Sequence, residues 1–169
     1  MTFSILTYDR ESGVYGAAAA TGSLCVGGWV LRGDIESGLV ASQGTAPSTF
    51  WRDDALRRMY DGISARDALT ALTVDDNGRG HRQMTALDRA GGTHGFTGAD
   101  SIAYAGHSCG PGLAIAGNML TGAEVLDAMR QAAEASHDTM LDRLFAALDA
   151  AEGAGGDARG LQSAALLVL

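Results

Sequence analysis

Residues Ala17 to Ala20 carry almost no side chain, and they lie in the second of two apolar runs joined by a short polar segment. The first run is Thr2-Phe3-Ser4-Ile5-Leu6-Thr7-Tyr8. The segment Asp9-Arg10-Glu11-Ser12-Gly13 follows, and Val14 to Thr21 returns. Two such runs around a Gly-containing connection read as a β-hairpin. A strand face built from alanine leaves room for something large against it, either another sheet or a ligand. The same pattern places Thr2 at the start of a strand.

The rest of the chain continues in blocks. Gly22 to Gly33 reads as a loop entering an apolar strand, and Gly38 to Gln43 as a further strand. Ser48 is placed to cap a helix over 49–60 with Gly62 as its stop. Ser64-Ala65-Arg66-Asp67 opens a second helix, a capping box with Asp in place of Glu. The runs 82–88 and 93–97, around Arg89-Ala90-Gly91-Gly92, give another hairpin. Strands are expected over 101–105 and 113–119. Thr121-Gly122-Ala123-Glu124 is a full capping box for a helix carrying Val125, Leu126 and Met129. A last helix is expected over 138–151, and residues 162–169 read as a buried strand. Strands in blocks with paired helices between them argue for layers and against alternating βαβ units. Two packed sheets with a helix pair on each outer face would bury every apolar face in this list of elements.

Composition narrows the function. The 169 residues are 46% apolar, which suits one globular domain over 1–169. A formal net charge of -8 argues against nucleic acid or an anionic membrane as the main partner. All 12 basic residues are arginine. No apolar run reaches the roughly 18 residues of a membrane span, and no leader pattern opens the chain, so a cytoplasmic protein is expected. Cys25 and Cys109 are too few and too far apart for a disulfide framework. His81, His94, His107 and His137 show no metal-ligand spacing, so no metal and no cofactor are expected. Trp29, Phe50 and Trp51 are candidates to extend an apolar surface for homo-oligomerisation.

Thr2 carries the sharpest chemical reading. Threonine is small enough for removal of the initiator Met1, which would leave an α-amine and a hydroxyl on one residue. Such a residue is nucleophile and general base at once. The free amine has an ordinary pKa of ~8 and needs only a modest downward push to act as a base. The bland alternative is an ordinary strand threonine.

The layered order and Thr2 resemble the N-terminal nucleophile (Ntn) hydrolases. More narrowly, the chain resembles a bacterial Ntn-hydrolase-like family of unknown function, the 1028 family. The stretches that carry the likeness are Met1-Thr2-Phe3-Ser4-Ile5, Cys25-Val26-Gly27-Gly28, Ala41-Ser42-Gln43, His81-Arg82-Gln83, Ala105-Gly106-His107, Gly117-Asn118-Met119-Leu120, Gly155 to Gly160 and Gln162-Ser163-Ala164. The resemblance implies an α+β fold, a four-layer αββα sandwich, and an amide-bond hydrolase acting on a small linear or cyclic amide. Proteasome-like members place a lysine near the threonine, and this chain has none.

Within that reading Thr2, Ser23, Asn118 and Asp157 are the catalytic candidates. Asn118 would donate to a developing oxyanion with backbone N–H groups near Cys25 to Gly27. Ser23 would orient the amine or relay a proton, and Asp157 would polarise the N-terminus. Cys25, Arg32, Gln43 and Arg159 are the substrate-binding candidates, with Arg32 a possible clamp for a carboxylate. Asp157 and Arg159 can equally pair with each other to shape their loop. The rival reading, from another class, is a non-catalytic module on the same fold that binds a small molecule or assembles with itself.

Overall fold

The computed structural model describes residues 2–157 and 159–169, a mixed α+β fold with two antiparallel sheets and five helices. The opening hairpin forms as its sequence pattern requires. β1 (Thr2–Tyr8) pairs with β2 (Tyr15–Thr21), Thr2 facing Thr21 and Tyr8 facing Tyr15. A short helix α1 (Val26–Trp29) leads into β3 (Leu31–Asp34) and β4 (Gly38–Gly44). Helices α2 (Thr49–Tyr60) and α3 (Ala65–Val74) follow, then β5 (Arg82–Asp88), β6 (Thr93–Thr97), β7 (Gly106–Gly110) and β8 (Leu113–Asn118). Helices α4 (Glu124–Glu134) and α5 (Met140–Gly153) precede the last strand, β9 (Ser163–Val168). The larger sheet has the order β7-β8-β1-β2-β9, so the strand that begins at Thr2 is central. The smaller sheet has the order β3-β4-β5-β6.

Side chains of alternate parity separate three apolar clusters. Phe3, Ile5, Ala18, Ala20 and Ile115 pack against α4 and α5 through Met129, Leu144 and Ala147. Leu6, Ala17, Ala19 and Ala114 meet Leu39, Ala41 and Leu87 of the other sheet. Val40, Met84 and Ala86 meet Trp51, Met59 and Leu69 of α2 and α3. The alanine run of β2 is buried on both faces, one against helices and one against the second sheet. Small side chains there let three elements approach closely.

Several helix starts follow the sequence signals. The Ser48 hydroxyl accepts from Trp51 N–H at 3.2 Å, and Ser64 from Asp67 N–H at 3.1 Å. Four expectations need correction. The loop before β3 contains the helix α1. The expected strand over 101–105 is irregular, and the strand lies at Gly106–Gly110 instead. Its Gly-His-Ser-Cys-Gly composition hides the pattern. The Thr121 box does not cap α4: the cap is Ala123, with no side-chain bond. Residues 163–168 form an edge strand that is half-exposed along much of its length, because among the described residues no strand pairs with its outer side. Among the described residues no helix is long and apolar enough to cross a membrane.

Leu144 is fully buried at the centre of the first cluster. Leu144→Ala is expected to cost about 2–5 kcal/mol of stability, read from urea unfolding at constant m-value.

Candidate functional site

The space between the sheets changes character along its length. At the Tyr8 end it holds Leu6, Leu39 and Leu87, with Tyr8 and Tyr15 stacked at 4.5 Å between ring centroids. At the Thr2 end the same faces carry Ser4, Thr21, Gln43, Gln83 and Asn118, all buried. Alternation alone requires this: Thr2 and Ser4 share a face with Leu6.

These buried polar groups form one network across the sheets. The Ser4 hydroxyl donates to Gln43 Oε1 at 2.7 Å. Gln43 Nε2 donates to Gln83 Oε1 at 2.7 Å and to the Thr2 carbonyl at 3.3 Å. Asn118 Nδ2 donates to the same Gln83 oxygen at 3.2 Å. Gln83 Nε2 lies 2.8 Å from the Gly117 carbonyl, 2.9 Å from the Gly106 carbonyl and 2.9 Å from the Thr97 hydroxyl. Gln83 therefore joins β5, β6, β7 and β8, and Gln43 carries the connection to the backbone of Thr2.

Thr2 stands where this network meets solvent. Its hydroxyl donates to the Thr21 hydroxyl at 3.1 Å. Thr2 is half-buried and lines a cleft of about 550 Å³ with Thr21, Ser23 and Gln43 on its polar side. Leu24, Val26, Trp29, Val30, Pro47 and Met119 supply apolar walls, and Arg159 lies on the rim. The walls are fastened. Val26 N–H donates to the Ser163 hydroxyl at 3.1 Å, and that hydroxyl donates to the Ser23 carbonyl at 2.8 Å. Buried Arg52 of α2 donates to the Gly28 and Trp29 carbonyls at 2.7 and 3.2 Å. A guanidinium on the last carbonyls of a helix satisfies groups the helix itself leaves orphaned.

Behind the cleft, the Asp157 side chain has no exposed surface. It accepts from Gly22 N–H at 2.5 Å and from Arg159 N–H at 2.8 Å, and pairs with Arg159 Nη2 at 3.2 Å. Burial pushes its carboxyl up. The Arg159 guanidinium and the Arg159 and Gly22 backbone donors outweigh burial and hold it below the ordinary carboxylate value.

The structure thus brings Thr2, Ser23, Gln43 and Arg159 together on one cleft, with Asp157 directly behind. Asn118 is Thr2's register partner on β8, but it is buried and donates to Gln83. It is not among the residues that line the cleft. Val26 N–H, one of the backbone donors expected at the oxyanion, is taken by Ser163. Cys25 is exposed, turns the chain at φ 60° before α1, and is not a lining residue. Arg32 is exposed on β3 and lines hollows elsewhere on the surface, not this cleft. Trp51 is core, edge-on to Phe96 at 5.8 Å, so only Trp29 and Phe50 of the expected apolar surface are exposed. Two residues were missed by sequence reasoning. Thr21 was available from hairpin register once Tyr8 is set opposite Tyr15. Gln83 sat in a matched stretch, but nothing local shows that a glutamine in a strand is a hub.

Two antiparallel sheets with a polar-floored, apolar-walled hollow at one end have the form that small-molecule sites commonly take. The chain belongs to the DUF1028 family, a family of unknown function, whose model matches residues 2–169. It is similar to the crystal structure of protein SPO2555 from Silicibacter pomeroyi, described under the same family. The two share 50% sequence identity with a TM-score of 0.94, over 99% of this chain and 75% of that one. No curated protein matches the chain.

Two outcomes are expected. Gln83→Leu strands buried donors on Gln43 and Asn118 and should cost at least about 3 kcal/mol in urea unfolding. Because Asp157 has a lowered folded-state pKa, its contribution is present above the unfolded value of ~3.9 and lost as pH falls through the folded one. The Tm gap between wild type and Asp157→Asn should therefore be widest near neutral pH and narrow below about pH 4 in thermal melts.

Proposed function

We propose that the chain is an amidohydrolase of the Ntn type, with the packing above as its αββα sandwich and Thr2 as nucleophile after removal of Met1. The observation that carries this reading is the position of Thr2. It opens the central strand, its backbone is held by Gln43, and it lines a cleft large enough for a small amide. A nucleophile needs such a rigid seat.

In this mechanism the Thr2 α-amine takes the proton of the Thr2 hydroxyl as Oγ bonds to the substrate carbonyl carbon. The C–N bond then breaks. The proton passes from the amine to the leaving nitrogen, and an acyl ester remains on Thr2. Water attacks the ester, giving its proton to the amine. The acid leaves and the hydroxyl is restored. Thr21 orients the Thr2 hydroxyl through the 3.1 Å contact. The Ser23 hydroxyl lines the same cleft and is a side-chain donor for the developing oxyanion.

Protein from its natural host should lack Met1 by intact mass. Thr2→Ala should retain under one percent of wild-type turnover on a panel of small amides and lactams, while melting within a few degrees of wild type. Retained Met1, or near-normal turnover of Thr2→Ala, would remove Thr2 from the chemistry and favour a binding module.

A further inference from the structure

We infer that a second hollow, at the opposite end of β1 from Thr2, binds a small tetrahedral oxyanion of the phosphate class. The hollow measures about 220 Å³ and lies where Thr7 and the Gly110-Pro111-Gly112 turn meet α4 and α5. Two guanidiniums line it, Arg130 of α4 and Arg143 of α5. The inference is independent of the chemistry at Thr2.

Each guanidinium keeps a buried N–H that no described group accepts, at Nη2 of Arg130 and Nε of Arg143. A buried donor without an acceptor is costly, and a charged acceptor offsets that cost most fully. Arg130 is otherwise well held, since its Nε donates to the Ser108 hydroxyl at 2.9 Å and its Nη1 to Glu134 at 2.6 Å. The half-buried Arg143 side chain reaches only the Thr7 hydroxyl, at a long 3.4 Å. Among the described residues no carboxylate pairs with it. Asp9 is near enough to feel its charge, but the Asp9 oxygens accept from the Ser12 hydroxyl and the Glu11 N–H. Acidic residues outnumber arginines 20 to 12, so the missing partner is not a matter of supply.

Charge and shape choose the ligand. Arg130, Arg143 and Glu134 are the charged side chains that line the hollow, so it carries a net positive charge. Glu134 engages Arg130, which leaves Arg143 for an incoming anion. The hydrogen-bonding groups belong to three elements, α4, α5 and, through the buried Thr7 hydroxyl, β1. Donors on several sides suit a tetrahedral oxyanion, whereas a planar carboxylate is satisfied by a single fork. The wall formed by the turn is fixed, because Tyr8 N–H donates to the Gly112 carbonyl at 2.8 Å and Gly112 N–H to the Gly91 carbonyl at 2.9 Å. That turn need not be ordered on binding. The hollow falls below the roughly 300–1,000 Å³ of sites for drug-sized ligands, and admits a small anion.

Inorganic phosphate is the probe, titrated calorimetrically into the full chain with chloride as the background anion at matched ionic strength. Wild type should bind one phosphate per chain, and acetate at least about 10-fold more weakly. Arg143→Gln should raise the phosphate Kd by roughly 10- to 100-fold, the span of a charged hydrogen-bonded contact. Arg143→Lys keeps the charge and should restore part of that loss. Thr7→Val removes only a hydroxyl and should weaken binding by a smaller factor. These two variants keep the test decisive if Arg143→Gln misfolds. Thr2→Ala should leave the phosphate Kd unchanged, which separates this hollow from the Thr2 cleft. The inference is overturned by absence of phosphate binding to wild type, by equal binding of acetate, or by a Kd that the Arg143 and Thr7 variants leave unchanged.

Discussion

The hydrogen-bond network of Gln43, Gln83 and Asn118 is the constraint on which the site depends. Two sheets packed face to face normally meet through apolar side chains alone. Here one end of the interface is polar, and every amide in it has to find partners without water. Gln83 accepts from both Gln43 and Asn118, and its own amide reaches the carbonyls of β7 and β8. A buried network of this kind is costly when broken and rigid when complete. Its completeness fixes the spacing of the sheets at the end where Thr2 opens the central strand.

Under the proposed function, that rigidity is what would distinguish Thr2 from an ordinary strand threonine. The apolar end of the interface, closed by the Tyr8–Tyr15 stack, clamps the hairpin at its turn. The polar end leaves a hollow into which the hairpin's open end projects. Loop 22–25 and α1 complete the hollow, and they are anchored from two directions, by Ser163 on β9 and Arg52 on α2. The cleft is therefore built by elements distant in sequence, and the small side chains of β2 allow them to converge. Removing bulk at Ala17 to Ala20 was the condition for placing helices on one side and a second sheet on the other.

The hairpin, both central helix pairs and the last strand were legible in the sequence because each is a local pattern. Alternation, capping serines and glycine stops act over a few residues. Thr2, Ser23, Gln43, Arg159 and Asp157 were legible as a group, since a hairpin start, two loop ends and a Gly-rich turn are where polar residues reach a shared edge. Asn118 was recognised, but its direction was not. Whether an amide faces a cleft or a partner strand depends on register across three strands. Arg32 failed for a similar reason: a strand-end arginine looks the same on any edge of a sheet. The short α1 was hidden by Gly27 and Gly28, poor helix formers held in place by tertiary contacts.

The central claim is that the Thr2 hydroxyl is a nucleophile facing a hollow. Its most direct test is covalent trapping. Native protein is treated with an apolar β-lactone, digested, and the adduct mapped by tandem mass spectrometry. The account predicts one acyl group per chain, on the threonine that follows the initiator methionine. An adduct on exposed Cys25 alone, or none while the protein remains folded, would contradict it.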